Sequence, residues 1–128
     1  MNLEKVIFGF FVVLAATLNF GFFIGDLSDP TVHSIPELYL AVVVNVITTV
    51  LKFGDRTQIG ALHLATSLVA VLQLIAAAAT YIYASQVSSA GVDASAMASV
   101  VSLSGGALLA NIVSLALLVV ETASFRRR

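Results

Sequence analysis

The stretch "NVITTVLKFGDRTQIG", Asn45 to Gly60, decides the fold. Two chain paths fit it. In one, a short helix enters a membrane and the chain turns back as a re-entrant loop, which makes the protein a pore. In the other, a spanning helix ends near Phe53, Gly54-Asp55 makes a tight turn, and the next helix starts at Thr57, with Asp55 placed to cap it.

Composition establishes the setting. The chain has 128 residues, 59% hydrophobic and 10% charged, with mean hydropathy +1.04. Soluble domains are roughly half apolar and a quarter charged. A domain this small buries only part of its chain, so the apolar surplus has no soluble hiding place. An integral membrane protein of one domain is expected, with the lipid bilayer as its first partner. The net charge is −1 and no basic run precedes the last three residues, so nucleic acid is not expected as a partner. The absence of cysteine excludes disulfides and thiolate metal sites. Val6 to Gly25 carries no charge. That matches the ~20 residues that span a bilayer and exceeds the ~7–15 of a signal-peptide core, so it reads as a retained anchor.

Charged residues divide the chain into apolar runs at Val6–Gly25, Leu38–Leu51, Thr57–Val92 and Ala94–Val120. The second holds 14 uncharged residues, about 21 Å of helix against a core of about 30 Å. Charge placement gives an independent test. If all four runs span, Lys5, Lys52, Arg56, Arg126, Arg127 and Arg128 fall on one side. Asp26, Asp29, Glu37 and Asp93 fall on the other. That is the positive-inside pattern, and a re-entrant second run would break it. Ser34 and Glu37 have capping-box spacing and Pro36 suits a first helical turn, which lengthens the second helix to about 29 Å. The reading is an all-α membrane protein, a four-transmembrane-helix bundle over about 5–25, 35–53, 57–84 and 94–121. Both termini are expected to be cytoplasmic.

Polar and small residues line particular faces. Helix 3 carries His63, Thr66, Ala70, Gln73, Ala77, Thr80 and Ala84 at spacings of three and four, opposite Leu64, Leu68, Leu72 and Ile75. Helix 2 carries Glu37, Ala41, Asn45, Thr48 and Lys52; Asn19 and Asn111 add carboxamides from helices 1 and 4. Helix 4 has Ser102, Gly106, Ala110 and Ser114 at four-residue spacing. Small residues there allow close helix approach, within the chain or between subunits. Midplane carboxamides read as interhelical hydrogen bonds, or as the lining of a pathway through Asn45, Thr48, Thr66 and Gln73. Asp26, Asp29 and Glu37 would form an acidic mouth, with Lys52 at the other end. His63 is expected to hydrogen-bond locally. The arginines at 126–128 suit the negative end of the last helix and anionic lipid.

No catalytic constellation, metal-ligand spacing or cofactor motif is present, so no enzyme, metal or cofactor is expected. Two function classes follow. One is a homo-oligomeric ion channel or small-solute, cation-selective pathway with an inorganic ion as its cargo. The other is a non-conducting membrane interaction protein.

Two resemblances accompany these readings. In spacing, "PELYLAVVVNVITTV" with the following "GD" resembles the pore region of potassium channels, which implies a pore with 36–55 re-entrant. A potassium filter needs "TVGYG", whose glycines let the backbone aim carbonyls at the ion. Here "TVLKFG" is one residue longer, lacks the first glycine and brings Lys52 to the lining. The charge pattern favours the spanning helix. The chain as a whole, through "MNLEKVIFGFFVVLAATLNFGFFIGDLSDP", "VVNVITTVLKFGDRTQIGA" and "ASVVSLSGGALLAN", resembles a family of small bacterial inner-membrane proteins of unknown function. That resemblance implies four membrane helices in the inner membrane of a Gram-negative bacterium and assigns no functional residue.

Overall fold

The computed structural model describes residues 3–126, with side chains described up to residue 123. The arginine side chains at 126–128 lie outside the described ones. Four helices run as α1 (Leu3–Phe23), α2 (Ile35–Lys52), α3 (Gln58–Gln86) and α4 (Ala94–Arg126). Each is long and apolar enough to cross a membrane.

The deciding stretch is helical. α2 continues unbroken through Thr48, Thr49 and Val50, and the Phe53 N–H still reaches the Thr49 carbonyl at 3.1 Å. A filter would need that segment extended, with its carbonyls free. Pro36 occupies the first turn, where its missing N–H costs nothing. The expected capping box does not form. Ser34 sits at the N-cap without a side-chain bond, and the Glu37 carboxylate packs against Gly21 of α1, where a Cβ would collide with it.

Gly54, at φ +92°, supplies the left-handed residue of the α2–α3 turn. The cap of α3 also differs from expectation. Thr57 is the N-cap, its Oγ1 accepting from the Gly60 N–H at 3.0 Å. Asp55 instead braces that cap, accepting the Thr57 N–H at 2.9 Å and its hydroxyl at 2.7 Å. The Thr57 hydroxyl, then its N–H, hold the Asp55 carboxyl below its ordinary value against some desolvation, and Lys52 at 3.3 Å adds to this.

Short connections make successive helices antiparallel, and α1 also packs on α4, so the bundle closes in the order 1-2-3-4. The α3–α4 contact is the most extensive. The core mixes large side chains (Phe22, Leu38, Leu74, Met97) with alanines at 41, 70, 77 and 107. The alanines bring the helix backbones close. Outward faces are apolar, as at Phe10, Val43, Leu72 and Leu109.

The α1–α2 loop is pinned by His33, which is 4% exposed. Its Nδ1 lies 2.6 Å from the Phe22 carbonyl and its Nε2 2.7 Å from that of Asp26. Sequence spacing gives no hint of this burial.

Candidate functional site

Three helices each contribute one asparagine to the middle of the bundle, and all three are buried. Asn45 donates from Nδ2 to the Ala41 carbonyl at 2.8 Å, which turns its Oδ1 toward α4. Asn111 donates to that oxygen from Nδ2 at 2.8 Å. Its own Oδ1 then faces Asn19, whose Nδ2 donates across 3.0 Å. Reversing the Asn19 amide would give it the Ser104 carbonyl and the Leu108 N–H, each at 3.2 Å, but would set two carboxamide oxygens 3.0 Å apart. The anchor at Ala41 fixes the direction of the Asn111–Asn45 bond, and Asn19 joins α1 to α4 either through the Asn111 oxygen or, reversed, through the Ser104 carbonyl and the Leu108 N–H. The Asn45 carbonyl also accepts from the hydroxyls of Thr48 (2.8 Å) and Thr49 (2.9 Å).

A second polar group lies toward the α2–α3 turn. Thr66 spends its hydroxyl proton on the His63 carbonyl at 3.0 Å, so it accepts from Ser114 at 3.1 Å. Ser114 has one proton, and its oxygen therefore accepts from Nδ1 of His63 at 3.2 Å. This proton count assigns the tautomer and leaves Nε2 as a buried lone pair without a partner among the described residues. The Phe8 ring stands edge-on to the imidazole, with centroids 5.0 Å apart. Lys52 lies 4.3 Å over that same ring while pairing with Asp55. Lys5 of α1 pairs with Glu121 of α4 at 3.1 Å.

The path residues read from the sequence do not all meet. Asn45 and Thr48 share one interior cluster. Thr66 belongs to the His63–Ser114 group. Gln73 is partly buried at the α3–α4 contact and lies over Gly106, its Cδ 3.1 Å from where a Cβ would be. The small-residue row of α4 faces α3 within the chain: Ala110 and Ser114 are buried and Gly106 lies beneath Gln73, while Ser102 is exposed. Beside it an open apolar groove of about 300 Å³ runs between α3 and α4, lined by Ala65, Thr66, Val69, Gly106, Leu109, Ala110 and Val113.

Two of the residues read as a mouth bond within their own loop. Asp26 accepts from the Ser28 N–H at 3.0 Å, and Asp29 from the Thr31 N–H at 2.9 Å and hydroxyl at 2.6 Å. Among the described residues no cluster of three His, Cys, Asp or Glu side chains could hold a metal ion. Sequence reasoning missed the burial of His33, Thr49 and Ser67. The asparagine relay had a visible signal, since apart from Asn2 the chain has one asparagine in each of three helices.

A family of unknown function, DUF6394, matches residues 32–122, which takes in α2, α3 and α4 as far as Thr122. No curated protein and no solved structure matches the chain.

Proposed function

We propose, for a chain that belongs to the DUF6394 family of unknown function, that it is a multi-pass protein of the bacterial inner membrane acting by lateral association. It neither conducts nor catalyses. One observation carries this reading: Asn19, Asn111 and Asn45 are buried in the bundle interior and hydrogen-bonded in series, with Asn45 anchored on the Ala41 carbonyl. A path for ions through a single copy would have to break that relay, and low dielectric makes a broken buried network costly. The outer surface, by contrast, offers an open groove.

The alternative, a cation path lined by Asn45, Thr48, Thr66 and Gln73, draws support from the acidic α1–α2 loop. Its lining residues sit on two sides of the α3–α4 contact, which counts against one continuous lumen. Reconstituted protein in planar bilayers decides between the two. No current is expected across varied pH, voltage and cation. A cation current abolished by Gln73→Leu would overturn the proposal in favour of the path.

A further inference from the structure

We infer that the α3–α4 groove seats a second copy of this chain, packed across a twofold axis that pairs the two Gln73 carboxamides. This rests on the lateral-association reading and adds the partner and the surface.

Gln73 is midway along α3, as far from either membrane surface as that helix allows. Its carboxamide makes no hydrogen bond to any described residue. Its outward neighbours Val69, Leu72 and Ile75 are exposed and apolar. In hydrocarbon there is no water to satisfy such a group, and glutamine is too short to reach the headgroups from mid-helix. The carboxamides of the three interior asparagines are already engaged with one another. A partner with a donor and an acceptor at the same depth is therefore required.

A second Gln73 meets that requirement. A carboxamide carries a donor and an acceptor side by side, so it complements itself across a twofold axis, the commonest symmetry of homo-oligomers. The groove completes the fit. Gly106 and Ala110 make its floor, where a backbone comes close, while Leu109 is 63% exposed and stands beside it as a knob. Small-floored grooves are how membrane helices approach. A lipid acyl chain would fill the groove but leave the carboxamide unpaired.

The chain contains no cysteine, so single cysteines in the full-length protein report the contact. In lipid vesicles, oxidation with copper phenanthroline is expected to give disulfide-linked dimers from Leu109→Cys and not from Val43→Cys, on the outer face of α2. Adding Gln73→Leu to Leu109→Cys should weaken association roughly three- to tenfold, with helix content by circular dichroism unchanged. Ala65→Phe, at an exposed residue lining the groove, provides a second variant with the same expected loss. Equal cross-linking on α2, or dimers indifferent to both substitutions, would overturn the surface. Gln73-dependent capture of a different protein by a monomeric chain would overturn self-pairing while leaving lateral association standing. A strictly monomeric chain without partners would overturn both.

Discussion

Asn111 of α4 donates from its Nδ2 to the Oδ1 of Asn45 of α2, 2.8 Å away and 66 positions distant in the sequence. α2 and α4 sit diagonally in the bundle, and this bond ties the diagonal across the interior. Asn19 extends the tie to α1.

Removing the middle member should cost more than removing an end. Asn111→Ala strips partners from both Asn45 and Asn19, and each unsatisfied buried group costs about 1–3 kcal/mol. We expect a loss of about 2–4 kcal/mol for Asn111→Ala and about half that for Asn19→Ala, measured by denaturant unfolding in bicelles. Equal losses would show that the three carboxamides do not act as a relay.

His33 should hold the α1–α2 loop in place. Its ring nitrogens lie 2.6 Å from the Phe22 carbonyl and 2.7 Å from that of Asp26, which ties the end of α1 to the loop. His33→Ala should speed amide exchange over 24–34 several-fold at neutral pH while leaving the middle of α1 protected. Unchanged exchange would show that the loop holds without the imidazole.

At the other end, Asp55 braces the start of α3. Its carboxyl is depressed, so the contribution is full at neutral pH and fades as pH falls below the ordinary value of 3.8. Asp55→Ala should speed exchange of the amides at 57–61 several-fold at neutral pH while leaving the middle of α3 protected. Gly60→Ala should have a similar effect, because a Cβ there would run into the Asp55 carboxylate. Unchanged exchange in both would leave Thr57 as a sufficient cap.

Orientation has its own test. If both termini and the α2–α3 turn are cytoplasmic, as the charge pattern leads one to expect, Thr57→Cys should resist an impermeant thiol reagent applied outside intact cells, and Ser28→Cys should react. The reverse labelling would invert the proposed topology.

The four helices were legible in the sequence because membrane-crossing length and the placement of charges are local, one-dimensional properties. Alternation of Lys5, Lys52 and Arg56 against Asp26, Asp29 and Glu37 favoured a spanning second helix, and the unbroken hydrogen bonding through Val50 agrees with it. The polar stripe of α2 and the interior face of α3 were readable for the same reason, since helical period fixes which residues share a face. Which polar residues touch was decided only by tertiary structure. Asn45 and Gln73 carry similar groups near the middle of neighbouring helices, yet one is sealed in the relay and the other lies over Gly106 at the edge of the α3–α4 contact. Likewise Glu37 abandons the Ser34 cap for Gly21, and His33 leaves an exposed-looking loop for two carbonyls. Period assigns a residue to a face, but the rotation of each helix about its axis is set by packing on its neighbours. That packing turns one carboxamide into the bundle and leaves the next at its edge.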